Sequence, residues 1–231
     1  MSAAPHSLTG IVVHWRNEEQ LADLLAGWPS DGRFDLVVVD NGSLGGLPPG
    51  PYRLVTPGRN LGFAGGANAG AAAATGEVLL FLNPDAHPEP GALDRLLEGF
   101  AAWPDAAGLA PRLVGGNGLP QHRWQLRPLP SPGTLLLQTL LIPAGKGPRR
   151  EPPEGALVAQ PAAAALALRR SVFERIGGFD ERFHPAWFED VDLAKRLQEA
   201  GFLLRYLPAA RFRHGLGSTV PRLGYGPFLS I

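Results

Sequence analysis

The chain has 231 residues, 21 acidic and 21 basic, so its formal net charge is zero; this argues against a nucleic-acid binder, whose electrostatic footprint is a basic excess. It contains no cysteine, which excludes a disulfide framework and any thiolate metal site. The length suits one large domain or two small ones, and no stretch approaches the ~20 apolar residues that cross a bilayer.

Met1 to Thr9 lacks a basic start and a long apolar run, so no secretory leader is read and a cytoplasmic protein is expected. Leu8 to Val13 reads as a first strand. Asn17 to Ala26 follows as a helix, with Leu21, Leu24 and Leu25 on one face and Asn17 available as its cap. Phe34 to Val39 is an apolar strand and Tyr52 to Thr56 a short one. Phe63 to Ala74 is an alanine-rich helix entered through Gly62. Glu77 to Leu82 is a strand, Pro90 to Trp103 a helix with Leu93, Leu96, Leu97 and Phe100 on its apolar side, and Ala107 to Val114 a strand. Apolar runs of this kind suit strands buried on both faces of a parallel sheet, and the alternation implies helical crossovers.

From Gly115 to Pro153 prolines and glycines break the periodicity, and Arg123, Arg127, Lys146, Arg149 and Arg150 gather there. Such a long irregular stretch suggests a lid, a binding loop or a disordered segment. Within it, Leu135 to Ile142 is read as a buried helix, with a segment lying on a membrane surface as the alternative. Ala156 to Leu168 is strand-like, Arg170 to Ile176 a short helix ended by Gly177-Gly178, Glu189 to Ala200 a helix stopped by Gly201, and Phe202 to Leu207 a last strand.

Three acidic positions stand out against this frame. Asp40 and Asp85 follow apolar strands, and ligands of open α/β sheets bind outside the carboxyl ends of strands, so both are expected in one crevice. Asp40-Asn41-Gly42-Ser43 is also ordinary turn chemistry. Asn83-Pro84-Asp85 sets an amide oxygen and a carboxylate two residues apart, which suits a hard divalent cation shared with phosphate oxygens; an Asx-type turn is the bland alternative. Asp190 lies three, four and seven residues before Leu193, Ala194 and Leu197, so it shares their inward face. Glu189 is read as complementing the helix dipole at an exposed site. Asp192 precedes Arg196 by four residues, the spacing of an ordinary surface ion pair.

The glycine-rich run Asn60 to Gly70 is neither G-x-G-x-x-G nor a Walker loop. Gly62, Gly66 and Gly70, at intervals of four, let a helix pack closely on a sheet; alternatively they let backbone amides approach a nucleotide. His214 is a lone histidine, of interest only if it meets Asp85.

Taken together, the pieces resemble the inverting nucleotide-sugar glycosyltransferases of the GT-A fold (glycosyltransferase family 2), in particular the bacterial rhamnosyltransferase-like members. The resemblance runs from about Thr9 to Ser218. It is carried by Val39 to Ser43, Asn60-Leu61-Gly62-Phe63-Ala64 with Asn68 and Gly70, Leu82 to Asp85, Gly177 to Phe183 and Phe188 to Leu193. It implies a single α/β GT-A-like catalytic domain over 1–231, with a mostly parallel central sheet flanked by helices. A nucleotide-sugar-binding half would span about 8–113 and an acceptor half about 114–218, the latter with a flexible segment at 115–153. It implies that Asp40 reads the base or ribose of the donor, and that Asn41, Asn60, Gly62, Asn68, Asn83 and Asp85 line the donor site. Asp85, Asn83 and His214 would hold Mg2+ or Mn2+, and Asp190 would be the catalytic base. The partners implied are a nucleoside-diphosphate sugar donor, rhamnose being the sugar suggested, and a glycan or lipid-linked acceptor of bacterial cell-wall or polysaccharide synthesis. Peripheral contact with the inner face of a membrane is part of that picture. Asn83 stands where an aspartate is the family's usual residue, and His14-Trp15-Arg16 follows the first strand where smaller residues are usual. The rivals are a nucleotidyltransferase, which would need a basic phosphate loop where only Arg16 stands, and a non-catalytic nucleotide-sugar-binding or scaffold relative, which has no need of both Asp85 and Asp190.

Overall fold

The structure is a computed structural model; it describes residues 4–43, 46–131, 133 and 147–215. In chain order the elements are β1 (Leu8–His14), α1 (Glu18–Gly27), β2 (Phe34–Asp40), β3 (Arg53–Val55), α2 (Gly62–Ala73), β4 (Val78–Leu82), β5 (Ala86–Pro88), α3 (Ala92–Ala102) and β6 (Ala106–Val114). There follow α4 (His122–Gln125), β7 (Leu126–Arg127), β8 (Gln160–Pro161), β9 (Ala165–Arg169), α5 (Arg170–Ile176), α6 (Glu189–Glu199) and β10 (Leu203–His214).

The main sheet has the order β3-β2-β1-β4-β9-β6-β10-β5, and β7-β8 form a separate antiparallel pair. The pairings β3-β2, β2-β1, β1-β4 and β6-β10 are parallel. The expectation of a mostly parallel sheet therefore stands, but β9 runs antiparallel to both β4 and β6, and β5 runs antiparallel to β10. An all-apolar run carries no mark of direction, which is why Ala156 to Leu168 did not reveal this reversal. That stretch forms β8 and β9, joined by the buried Ala162, Ala163 and Ala164. The last strand also outruns its expected end at Leu207. A register shift between Leu207 and Arg211 carries β10 on to His214.

Alternation along the strands divides the core between the two faces of the sheet. Val78, Leu80 and Leu82 pack with Leu21, Leu24 and Leu25 of α1 and Leu93, Leu96 and Phe100 of α3. Leu79 and Phe81 face the other way, with Ala64, Ala67 and Ala71 of α2, Phe173 of α5 and Leu193 and Leu197 of α6. A buried arginine ties the first layer together: Arg169 donates to the carbonyls of Phe100 and Ala106 and lies over the Phe100 ring. Those carbonyls lie at the end of α3 and the start of β6, where a cation is favoured by the helix dipole.

The glycines of α2 do the packing expected of their spacing. A Cβ on Gly70 would sit 2.5 Å from Ile11 Cγ2, and one on Gly66 2.7 Å from Val13 Cγ1. In β1 these residues are strand neighbours on the face toward α2, so the helix lies directly on the strand. Alanine at 70 would gain about 1 kcal/mol of helix propensity, but overpacking of this kind costs about 1–3 kcal/mol. Gly70→Ala should therefore lower the melting temperature. Gly27→Ala, at the end of α1 with nothing within 4 Å of the added methyl, should leave it unchanged or raise it. Equal responses of the two variants in thermal unfolding would show that the α2–β1 contact is not close-packed.

Candidate functional site

Because β1, β2 and β4 are mutually parallel, their carboxyl ends share one edge. His14 and Asp40 are ladder partners at the ends of β1 and β2, and Asp85 comes three residues after the end of β4. Two reversals, β4 to β9 and β9 to β6, return β6 and its parallel partner β10 to the direction of β4. The carboxyl end of β10 thus reaches the same edge. His214 pairs there with Ala86, and its Nε2 stands 3.6 Å from Asp85 Oδ1, with both side chains buried. His214 does meet Asp85.

Burial pushes the His214 pKa down, Asp85 pulls it back up and His87 pushes it further down. A neutral imidazole is the form that binds a metal. Among the described residues no group of three or more His, Cys, Asp or Glu side chains is placed to hold an ion. The described residues thus bring together one carboxylate and one imidazole here. That donor set fits Mg2+ or Mn2+, which complete their shells with phosphate oxygens and water. It does not fit a closed, all-protein cage. Asn83 is placed by its backbone, donating N–H to Ala164 and accepting from Ala86 N–H.

Asp190 approaches from α6. Its Oδ2 accepts from the Gln160 side-chain amide at 3.2 Å and its Oδ1 from Val191 N–H at 2.8 Å. Gln160 lies in β8, four residues before Ala164, whose carbonyl accepts from Asn83. Residues 160–164 therefore link the neighbourhood of Asp190 to the strand end that carries Asp85. Burial raises the Asp190 pKa; the charge of Arg127 and the backbone N–H groups of Val191 and Ala163 oppose it. Arg127 is the ladder partner of Gln160. A carboxylate of raised basicity, held in orientation by amides, is suited to taking a proton.

Glu189 departs from expectation. It is 8% exposed, not a solvated residue at the helix start, and among the described residues its Oε2 has no hydrogen-bond partner. Burial lifts its pKa to about 7, with the neighbouring Asp190 adding to the rise. The backbone that delivers this pair is strained: Trp187 and Phe188 have φ of 86° and 69°. Bulky residues rarely occupy that region, and such strain clusters at functional sites. Both rings are exposed.

The donor-side residues divide. Asp40 accepts from Ser43 N–H through Oδ1 and remains half-buried at the edge. The other amides are committed within the protein. Asn41 donates to Asn60 Oδ1 and the Gly62 carbonyl, and accepts from Leu61 N–H. Asn60 also accepts from Gly62 N–H. Asn68 exchanges hydrogen bonds with the Phe179 backbone and donates to Glu181. At the start of α2, Phe63 N–H donates to the Pro185 carbonyl, and a Cβ on Gly62 would lie 2.7 Å from that same oxygen. Asn41, Asn60, Gly62 and Asn68 are thus engaged with neighbouring segments. They bind the glycine-rich run to the 178–185 segment, which leads into α6.

Arg196 completes that support. It pairs with Asp192 and also donates to the carbonyls of Ile176 and Gly178, so the expected surface ion pair is a clamp between α5 and α6. Sequence reading missed Gln121 (which lies against His214), Gln160 and the burial of Glu189. No periodicity marks the first two, and the third depends on the approach angle of the 184–188 segment. The segment at 115–153, read as irregular, carries α4 and β7 in its described part, whereas Lys146, the whole of Leu135 to Ile142 and the rest of the expected lid at 132 and 134–146 lie outside the described residues.

The buried Glu189 has a consequence for stability. Its pKa is raised in the folded state, so the native protein keeps this proton up to about pH 7 while the unfolded chain releases it near about 4.5. Its contribution is therefore fully present below about pH 4.5 and is lost as pH rises to about 7. Glu189→Gln removes that titration. Relative to the parent, the variant should gain on the order of 3 kcal/mol across the window, measured by denaturant unfolding at several pH values. A difference independent of pH would place the Glu189 carboxylate in water.

Comparison with known proteins gives the family and the fold. Residues 16–177, well over half of the chain, match the family described as Glycosyl transferase family 2. The chain is 32% identical over 206 residues to the N-acetylglucosaminyl-diphospho-decaprenol L-rhamnosyltransferase of Mycobacterium tuberculosis, covering 78% of this chain and 66% of that protein. It is 35% identical over 159 residues to the Pre-mycofactocin glycosyltransferase of the same organism, covering 66% of this chain and 30% of that protein. It thus spans no more than about two thirds of the length of these relatives. Among solved structures it is similar to GalNAc-T7 with UDP, GalNAc and Mn2+ (TM-score 0.68, 13% identity, 90% of this chain and 43% of that one). It is also similar to the mannosyltransferase PcManGT of Pyrobaculum calidifontis in complex with GDP-Man and Mn2+ (TM-score 0.63, 16% identity, 95% and 59%). At these identities the structures speak for the fold, which is that of the GT-A glycosyltransferases. By fold and by sequence, the chain belongs to glycosyl transferase family 2.

Proposed function

We propose that this protein is a metal-dependent, inverting glycosyltransferase that moves a sugar from a nucleoside diphosphate to a hydroxyl of a glycan or lipid-linked acceptor. The observation that carries the reading is the meeting of Asp85 and His214 at one sheet edge, with Asp190 joined to that edge through Gln160 and Ala164. Rhamnose as the sugar and a polyprenyl-linked acceptor are suggested by the mycobacterial relative, whose name specifies both.

Asp40, at the end of β2, faces the nucleoside. Asp85 and His214, with Asn83 beside them, would hold Mg2+ or Mn2+, which would supply charge neutralisation for the departing diphosphate. Asp190 takes the proton of the acceptor hydroxyl as its oxygen bonds to the anomeric carbon and the bond to the diphosphate breaks. Attack on the face opposite the leaving group inverts the configuration. Gln160 and the two backbone amides keep the Asp190 oxygens aimed, and Arg127 steadies the carboxylate form. Trp187 and Phe188, exposed immediately before the base, form the apolar floor on which the acceptor docks.

Two variants test the assignment. Asp85→Ala should abolish Mn2+-dependent binding of the nucleotide donor while the melting temperature holds, since the residue sits beyond a strand end. Nucleotide affinity equal to the parent's in Mn2+ would remove Asp85 from the site. Asp190→Asn keeps shape and hydrogen bonding but cannot take the proton, so turnover should fall about 10²–10⁴-fold with donor affinity little changed. Near-parental turnover by this variant means that another group is the base.

A further inference from the structure

Gln121 lies outside the residues assigned so far, yet it makes two hydrogen bonds to one histidine. Its side-chain Nε2 donates to the His214 backbone carbonyl at 3.0 Å, and its Oε1 lies 2.8 Å from His214 Nδ1. The first bond determines the second. Only the NH2 end of an amide can donate to a carbonyl, so the end facing Nδ1 is the oxygen, which can only accept. Nδ1 must therefore carry a hydrogen. In a neutral imidazole the other nitrogen, Nε2, then holds a lone pair. Nε2 is the nitrogen that faces Asp85, at 3.6 Å, a separation too long for a hydrogen bond.

Gln121 is itself held in place. Its backbone N–H donates to the Leu113 carbonyl, Val114 bridges to Pro120, and Gly115 N–H closes the 115–119 turn on the Leu119 carbonyl. A Cβ on Gly115 would lie 3.1 Å from Gln121 Nε2, so the turn wraps the amide closely. Trp124, one turn along α4, stacks on the His214 ring at 5.3 Å between centroids and 25° between planes. One short segment therefore restrains the imidazole at Nδ1, at its carbonyl and on its face, and leaves Nε2 to the cleft. Metal-binding histidines are typically oriented in this way, by an acceptor on the nitrogen away from the ion.

We propose that Gln121 is a positioning residue for the divalent cation, fixing His214 as the Nδ1–H tautomer so that the Nε2 lone pair and Asp85 converge on one ion. This rests on the metal-dependent reading above, and it concerns what prepares the site, not which residues touch the ion.

The test uses the full chain labelled with 15N-histidine, with the His214 signal identified by its loss in His214→Asn. Two-bond 1H–15N spectra distinguish the tautomers, and Mn2+ affinity is read from the electron paramagnetic resonance of free Mn2+ during titration, with and without UDP. The parent should show His214 as Nδ1–H. Gln121→Leu should move it to the Nε2–H pattern and weaken Mn2+ binding about 10–100-fold. Gln121→Glu keeps an acceptor on Nδ1 while losing the donor to the His214 carbonyl, and should retain the Nδ1–H tautomer. An Nε2–H tautomer in the parent overturns the proposal, even if Gln121→Leu fails to fold, and so does parental Mn2+ affinity in a folded Gln121→Leu. Asp85→Ala, titrated in parallel, separates the two levels of argument. If it binds Mn2+ as the parent does, the metal site itself is wrong. If it loses Mn2+ while Gln121→Leu does not, only the role of Gln121 is lost.

Discussion

The site depends on one strand that runs the wrong way. β9 lies between β4 and β6, antiparallel to both, and every one of its residues is buried. Two reversals cancel, so β10 ends at the same edge as β1, β2 and β4, and His214 arrives beside Asp85. The same reversal turns the chain entering β9 along that edge, where the Ala164 carbonyl accepts from Asn83 and Gln160 reaches Asp190. A parallel β9 would deliver its amino end to the opposite edge, and neither Gln160 nor Ala164 would border the cleft. Such a continuous apolar strand is stable in that place because both faces meet core, with Ala165 and Ala167 toward α3 and Leu166 and Leu168 toward α5 and α6.

Electrostatics at the far side of the cleft follows from how α6 is introduced. Two left-handed residues in succession, Trp187 and Phe188, turn the chain so that the first two helical residues are both drawn from solvent. Asp190 is compensated by amide donors and by Arg127. Among the described residues Glu189 Oε2 has no hydrogen-bond partner, and burial outweighs the backbone N–H groups of Trp187 and Glu189 and holds the side chain protonated to near-neutral pH. Burial thus raises the proton affinity of both adjacent carboxyl groups; backbone N–H groups oppose the rise at each, and the charge of Arg127 opposes it at Asp190. The strain is sustained by the asparagine network upstream and by Arg196, which holds the Ile176 and Gly178 carbonyls while paired with Asp192. Asn68 on α2 grips Phe179 in the same segment. The glycine-rich run therefore bears on the approach to α6 at one remove. It lets α2 lie on β1 through Gly66 and Gly70, and from that position α2 fixes the approach to α6.

Much of the fold was legible in the sequence. The strands at Phe34, Glu77 and Ala107, and the helices at Asn17, Pro90 and Glu189, announce themselves by apolar runs or by a 3.6-residue period, signals written in local spacing. So does the position of Asp40 and Asp85 at strand ends. The contribution of Asp190 to the inward side of α6 also followed from its distance to Leu193, Ala194 and Leu197. The family, too, was visible in the order of these pieces.

What the tertiary structure decided is direction, burial and partnership. An apolar strand pairs equally well in either direction by its composition, so the reversal of β9 is settled only when its neighbours are in place. A helix-start glutamate is exposed or buried according to the angle of the chain that precedes it, and here two positive-φ aromatics turn Glu189 inward. The pairings of Gln121 with His214 and of Gln160 with Asp190 span 93 and 30 residues. No local spacing encodes such contacts; they arise because separate strands are brought to end at one edge.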